Sequence, residues 1–404
     1  MSVTTRRRFL QTASSVAAVL PLAAPRFQRG SSQRIVAYAG TYSSPGGGLP
    51  GRGEGIHVLE MDPASGALTQ RDVVRTTENP TWLAFNRTRS HLYTANEVSA
   101  AGIGAGTVSA YSVDRGTGRL TLLNSVSSEG AGPAHVSVHP TGKHALVANY
   151  GGGTVAVLPI QPDGRLGAAS DVKRHQGTPG AARPSSAPPG SFAISGHDRP
   201  HAHMIDADAS GGFVFAADLG LDQILIWRFD DAAGTLTPND PPSVALPPGD
   251  GPRHFTFHPK GRWLYSLQEE ASTVVTFDYD AATGRLRATQ TVSTLPRGFA
   301  GTNFTSGIVV SPDARFVYVA NRLHDSIAWL SIGADGTLTW AGEEWTRGDY
   351  PRSFTIDPGG RFLFSCNQRS DAIAGFRIDR GSGRLTFTGQ YTPVGSPAHL
   401  VFLG

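Results

Sequence analysis

The 404-residue sequence has one cysteine and three methionines. That excludes a disulfide framework and any cysteine-based zinc module. Charge is also scarce, with Asp, Glu, Lys and Arg at 17% of the chain. No acidic residue precedes Glu54. Beyond the N-terminal segment there is no apolar run of the roughly 18 residues that a membrane helix needs, so no stable span is expected. No Gly-x-Ser-x-Gly occurs, which argues against a serine nucleophile on a strand-to-helix elbow. What is abundant is glycine and proline, 49 and 28 residues. Together they form about a fifth of the chain, against roughly 12% in average usage. They favour turns, hence short strands over long helices. The 39% hydrophobic content can build a core and excludes a wholly disordered chain.

The N-terminal segment reads as an address. Arg6, Arg7 and Arg8 precede Phe9 and Leu10, and a small-residue apolar run follows from Ala13 to Ala24. A charged start before a short apolar stretch is an export signal, and twin arginine marks the Tat route. Residues 1–24 are therefore expected to be a cleavable Tat signal, 25–33 a short linker and 34–404 one domain. The Tat translocase is the implied partner and the periplasm or exterior the implied destination. Removing Arg6, Arg7 and Arg8 takes the formal charge of +3 to zero. A near-neutral mature surface gives no case for nucleic acid.

The remainder is a repeat. Gly-x-Leu recurs at Gly66, Gly118, Gly164, Gly234, Gly284, Gly336 and Gly383. Each reads as a hairpin turn, where glycine supplies a positive φ. About thirty residues before most of these turns lies a proline-led alternating segment typical of a half-buried strand. Compare Gly132-Pro-Ala-His135, Gly251-Pro-Arg-His254 and Tyr350-Pro-Arg-Ser353. A mostly apolar run follows, ending in Asn149, Asn321 or Asn367, then a third strand. Units of about fifty residues with four strands are propeller blades. Seven are counted. The first lacks its proline-led strand, which reappears at the C-terminus as Ser396-Pro-Ala-His399. The expected fold is thus an all-β, seven-bladed propeller of four-stranded blades, with the last strand completing the first blade. One longer interval holds an insertion, 174–199, rich in Pro, Ser, Ala and Gly.

Antiparallel order puts the start of strand one and the end of strand two on one face. Three polar columns should therefore ring one mouth of the channel. The first is Trp82, His135, His203, His254, Gly307, Ser353 and His399. The second is Thr41, Asn96, Asn149, Asp218, Gln268, Asn321 and Asn367. The third is Tyr42, Glu97, Tyr150, Leu219, Glu269, Arg322 and Gln368. Asn and Asp repeated in nearly every blade suit turn capping, so departures from the repeat carry the functional signal. These are His203 beside His201, Arg253 in place of a small residue, Glu269 and Arg322. Arg352 fills the same motif position as Arg253. Two arginines, a carboxylate and one or two histidines suit an anionic or carbonyl-bearing small molecule.

On these residues the chain resembles the seven-bladed propeller lactonases, which include propeller-type 6-phosphogluconolactonases and a muconate-lactonising cyclase. The resemblance spans about residues 34–403. It rests on Ala39-Gly-Thr-Tyr42, Asn149-Tyr-Gly-Gly152, Pro200-His-Ala-His203, Asp218-Leu-Gly220, Gly251-Pro-Arg-His254, the Glu269 segment and Asn321-Arg322. It implies a lactonase with His203, Arg253, Glu269 and Arg322 as catalytic residues. Contacts from His201, Asn149, Tyr150, Asp218, His135 and Asn321 would surround a small lactone. It implies no metal and no cofactor. Glu269 would act as base or orient water or His203; the two arginines would hold the oxyanion, and His203 would protonate the leaving alkoxide. The 167–199 stretch is longer than the resemblance suggests, and Glu270 stands where it suggests an apolar residue. A non-catalytic envelope propeller that binds a partner, or a muconate-type cyclase, is the alternative.

Overall fold

The computed structural model describes residues 34–44, 51–76, 78–98, 106–184, 186–188, 193 and 195–404. The expected signal and linker, 1–33, lie outside them. Among the described residues twenty-eight strands, β1 to β28 in chain order, form seven four-stranded antiparallel sheets. Six sheets are consecutive in sequence, spanning 80–127, 133–174, 202–245, 252–293, 305–345 and 351–393. The remaining sheet joins β28 (Pro397–Phe402) to β1 (Ile35–Thr41), β2 (Gly55–Met61) and β3 (Leu68–Arg75). We number this sheet blade 1 and the others blades 2 to 7. Within it β28 pairs β1 with Gly40 opposite His399, as the split repeat requires. Ring closure covers the edge of β1, which would otherwise be open for another chain to pair with.

Innermost in the seven blades are β28, β4 (Pro80–Phe85), β8 (Pro133–Val138), β12 (Ala202–Ala207), β16 (Pro252–Phe257), β20 (Thr305–Val310) and β24 (Pro351–Ile356). Each packs on its neighbours around the channel. The second strands of blades 3 to 7 are buried along their whole length. Both of their faces meet other blades, so their sequences are near-continuous apolar runs instead of alternating ones. Outer strands such as β3 are largely exposed.

The core is divided accordingly into seven apolar clusters, one at each interface between adjacent blades. Every Gly-x-Leu glycine has a positive φ, from 65° at Gly234 to 85° at Gly164. These turns also fasten blades together. Tyr38 donates to Gly118 O at 2.7 Å, Tyr93 to Gly164 O, Tyr265 to Gly336 O and Tyr318 to Gly383 O at 2.8 Å, each to the next blade. Among the described residues no helix is long and apolar enough to cross a membrane.

Candidate functional site

Every blade carries a β-bulge at the start of its inner strand. Pro133 pairs with Asn149 but His135 with Ala148, leaving Ala134 over. The same shift leaves over Thr81, His203, Arg253 and Arg352, and Ala398 beside β1. Blade 6 skips Ser306 and Gly307. A bulge bends the strand and re-aims the extra side chain. Here the re-aimed column reaches the space at one end of the channel, where Thr81, Ala134, His203, Arg253, Arg352 and Ala398 all appear.

Register also corrects the sequence alignment of blade 4. Ala202 faces Asp218 as Pro252 faces Gln268. His203 is therefore equivalent to Arg253 and Arg352, and Met204 to His254. The first column, which matched His203 to His135 and His254 as like residues, was displaced by one residue in this blade.

A cavity of about 300 Å³ lies at this end. Its wall includes Tyr42, Glu97, Tyr150, Glu269, Arg322 and Gln368, so six of the seven third-column residues reach it. Leu219 is buried instead. His203, Arg352, Tyr350, Phe304 and Ser195 complete most of the rest. The third-column backbone is held alike in each blade, with N–H donated to the residue preceding the inner strand, as in Glu269 to Gly251 O and Gln368 to Tyr350 O. Tyr350 takes this position with φ 65°, a left-handed conformation that costs a bulky side chain energy. Its N–H bonds Asp325 Oδ1 at 2.8 Å.

Charge is arranged in two layers. Glu269 Oε2 lies 2.7 Å from both Arg253 Nε and Arg322 Nη2. Arg322 also donates to Thr305 O through Nε and Nη2, and to Tyr350 Oη at 3.2 Å. Its guanidinium sits between the rings of Phe304 and Tyr350, 5.2 Å from each. Burial alone would raise the Glu269 pKa, but Arg322 and Arg253 outweigh it and hold the carboxyl below its ordinary range. Arg253 bonds Ser306 O and lies beneath the cavity instead of lining it. Arg352 does line it, with Glu97 Oε1 3.6 Å away. The other Glu97 oxygen accepts from Tyr42 Oη at 2.8 Å and Thr81 Oγ1 at 2.9 Å. Arg352, which sequence reasoning set aside as a repeat of Arg253, thus faces the cavity while Arg253 supports it from below.

His203 is buried, and its Nδ1 bonds no other described residue. Burial, then Arg253 and Arg352, push its pKa well below the ordinary imidazole value. It is neutral at pH 7. Its ring stands edge-on to Tyr150 and His254. Below, Trp82 stacks on His399 at 3.8 Å and touches His135 and His254. These rings fill the channel under the cavity.

The remaining expected contacts divide. Tyr150 lines the cavity. His201 stands behind it, stacked on the Tyr150 ring at 4.3 Å and bonded to Tyr150 O and Asp198. Asn149, Asp218 and Asn321 are fully buried behind the wall. Asn149 donates to Ser128 O and Thr154, Asn321 to Thr294 O and Ser326, and Asp218 accepts from His201 N and Leu221 N. Asp218 Oδ2 also faces His175 Nδ1 at 2.6 Å; these groups serve turns and neighbouring loops instead of the cavity. His135 belongs to the ring cluster below and does not line the cavity. Tyr350, Phe304 and Ser195 were not expected. The first two sit one residue before an inner strand, a position that holds Gly132 and Gly251 in blades 3 and 5; the large residue there was a readable departure.

The family described as "Lactonase, 7-bladed beta-propeller" matches residues 36–402. The chain is 34% identical to a 6-phosphogluconolactonase of Bacillus subtilis over 92% of this chain and 99% of that one. The solved structure of a periplasmic gluconolactonase of Pseudomonas aeruginosa superposes with TM-score 0.81 at 31% identity, covering 92% and 99% of the two chains. A putative 6-phosphogluconolactonase of Bacteroides fragilis matches with TM-score 0.81 at 30% identity and the same coverage. The chain belongs to the seven-bladed β-propeller lactonases, carboxylic-ester hydrolases that open cyclic esters.

Proposed function

We propose that this protein hydrolyses an unphosphorylated aldonolactone, with His203 moving the proton and Arg352 and Arg322 stabilising the oxyanion. What carries this reading is one neutral imidazole and two guanidiniums on the wall of one small cavity. Water gives a proton to His203 as its oxygen attacks the lactone carbonyl. The carbonyl oxygen becomes an oxyanion opposite the guanidiniums. Collapse breaks the ring C–O bond, and the leaving alkoxide takes the proton from His203, giving the hydroxy acid. A lone imidazole among arginines is a weak base. The negative charge developing on the substrate offsets those arginines, so proton affinity rises as the transition state forms. Glu269 is held ionised between Arg253 and Arg322, its Oε2 already facing both guanidiniums. Its role in this scheme is to hold the two guanidiniums in place.

Charge supports a substrate without phosphate. Arg253, Arg322 and Arg352 face Glu97 and Glu269, leaving one net positive charge, and two of the arginines are already committed to Glu269. Arg369, stacked on Tyr350, already faces Asp349. The test is kcat/KM for δ-gluconolactone and its 6-phosphate, for the wild type and His203→Ala. The unphosphorylated lactone should be preferred and His203→Ala should lose about a hundredfold in kcat. Preference for the phosphate would refute the substrate reading, and no turnover of either would refute the activity. We also infer that the Arg6–Arg8 leader directs export, so the enzyme meets free sugar lactones outside the cytoplasm.

A further inference from the structure

The 174–199 insertion returns to the propeller through a buried ionic clasp. Glu270 is fully buried, immediately after Glu269. Its Oε1 accepts from the N–H of Ser195, from Ser195 Oγ at 2.8 Å and from Gly196 N–H at 2.9 Å. Its Oε2 faces His197 Nδ1 at 3.0 Å. His197 Nε2 faces Asp222 Oδ1 at 3.1 Å, and Asp222 accepts from Gly249 N–H and Gly251 N–H. One imidazole, its side chain 1% exposed, therefore joins the strand-two turns of blades 4 and 5. The clasped residues reach the site. Ser195 lines the cavity. Gly196 packs so closely on Tyr150 that an added Cβ would lie 2.5 Å from Tyr150 Oη. Asp198 bonds His201, on which Tyr150 stacks.

We propose that Glu270 and His197 are positioning residues that clasp Ser195–Asp198 against Tyr150, so that this segment forms a cavity wall selecting lactones by size. The size selection rests on the lactonase reading; the clasp does not. The charge state of the clasp agrees with the geometry. Burial alone would lower the His197 pKa, but Asp222 and Glu270 push it up to about 10, so it is an imidazolium between two carboxylates. Asp250, the other acid near it, is pushed up to about 6, chiefly by burial.

The experiment compares wild type, Glu270→Gln and His197→Gln. Hydrogen exchange is read at the amides of Ser195 and Gly196, and kcat/KM is measured for δ-gluconolactone and for a bulkier disaccharide lactone. Both variants should lose protection at these amides. Preference for the small lactone should fall about tenfold, through KM for the large one, with kcat on the small one nearly unchanged. Ser195→Ala should keep the protection, since Gly196 N–H and His197 still hold. Retained protection in both variants, or lost protection with unchanged preference, would overturn the proposal. If the wild type turns over neither lactone, the lactonase reading and the size selection fall together, and the clasp stands or falls on amide protection alone.

Discussion

Arg253 and Arg352 occupy the same bulge position in blades 5 and 7, yet their surroundings give them different work. Arg253 has 2% of its surface exposed and its Nε against Glu269. Removing it strands part of a buried negative charge, which is costly because desolvation is no longer offset. Arg352 faces the cavity, with Glu97 at 3.6 Å. Arg352→Ala should therefore lower kcat/KM about a hundredfold with little change in the unfolding midpoint. Arg253→Ala should lower the unfolding free energy by about 3 kcal/mol in urea titration. If both variants lost activity alike and stability not at all, the two-layer description would be wrong. Both side chains were legible in the sequence, but their layers were not. A repeat motif gives equivalent positions, whereas which of two equivalent side chains finds a carboxylate depends on the adjacent blades.

The elements were legible to different degrees. Gly-x-Leu hairpins could be read because only a positive φ fits that tight turn, and glycine adopts it without a steric penalty. Gly284 shows a second constraint that no local rule supplies. A Cβ there would lie 2.4 Å from the Phe213 ring of the neighbouring blade, whereas Gly142, with φ 75°, has nothing within 4 Å. Gly142→Ala should cost only the left-handed backbone term, about 1 kcal/mol. Gly284→Ala should cost about 1–3 kcal/mol more because it also forces a blade interface apart. Thermal unfolding of the pair distinguishes the two contributions, and equal losses would show that the interface yields. The bulges were not legible. They add a residue without changing the apolar pattern of the strand, so His203 aligned with the histidines of other blades instead of by its partner across the strand.

The whole molecule gathers four inner-strand histidines from blades 1, 3, 4 and 5 at one place. His135 and His399 are pushed down to about 3, foremost by burial, and His203 and His254 well below the ordinary value for the same first reason. The unfolded chain binds protons near pH 6.5 that the folded one refuses. The contribution of these four rings should thus be full above pH 6.5 and fall as the pH drops towards 3, by up to about 1.4 kcal/mol per unit for each histidine, outweighing the opposite trend of His197, whose contribution is lost as the pH rises from 6.5 towards 10. Urea midpoints at pH 7.5 and 5 test this, and a flat profile would mean that water reaches the rings. At the same scale, replacing Arg6 and Arg7 by lysine should leave unprocessed enzyme in the cytoplasm. Processing unaffected by the change, read by cell fractionation, would count against the Tat route.

What the sequence determined by itself is the architecture: blade count, hairpins, and a terminal strand closing the first blade. Each of these follows from local backbone preference and apolar period, which repeat seven times and so reinforce one another. The scarcity of cysteine left the fold to rest on seven apolar interfaces. Only the tertiary structure decided which side chains meet. Asn149, Asp218 and Asn321 turned inward to satisfy turns, Arg352 came to the cavity, and Glu270 clasped the insertion. These depend on one-residue register shifts and on contacts between blades as far apart along the chain as Trp82 and His399, which no local pattern encodes.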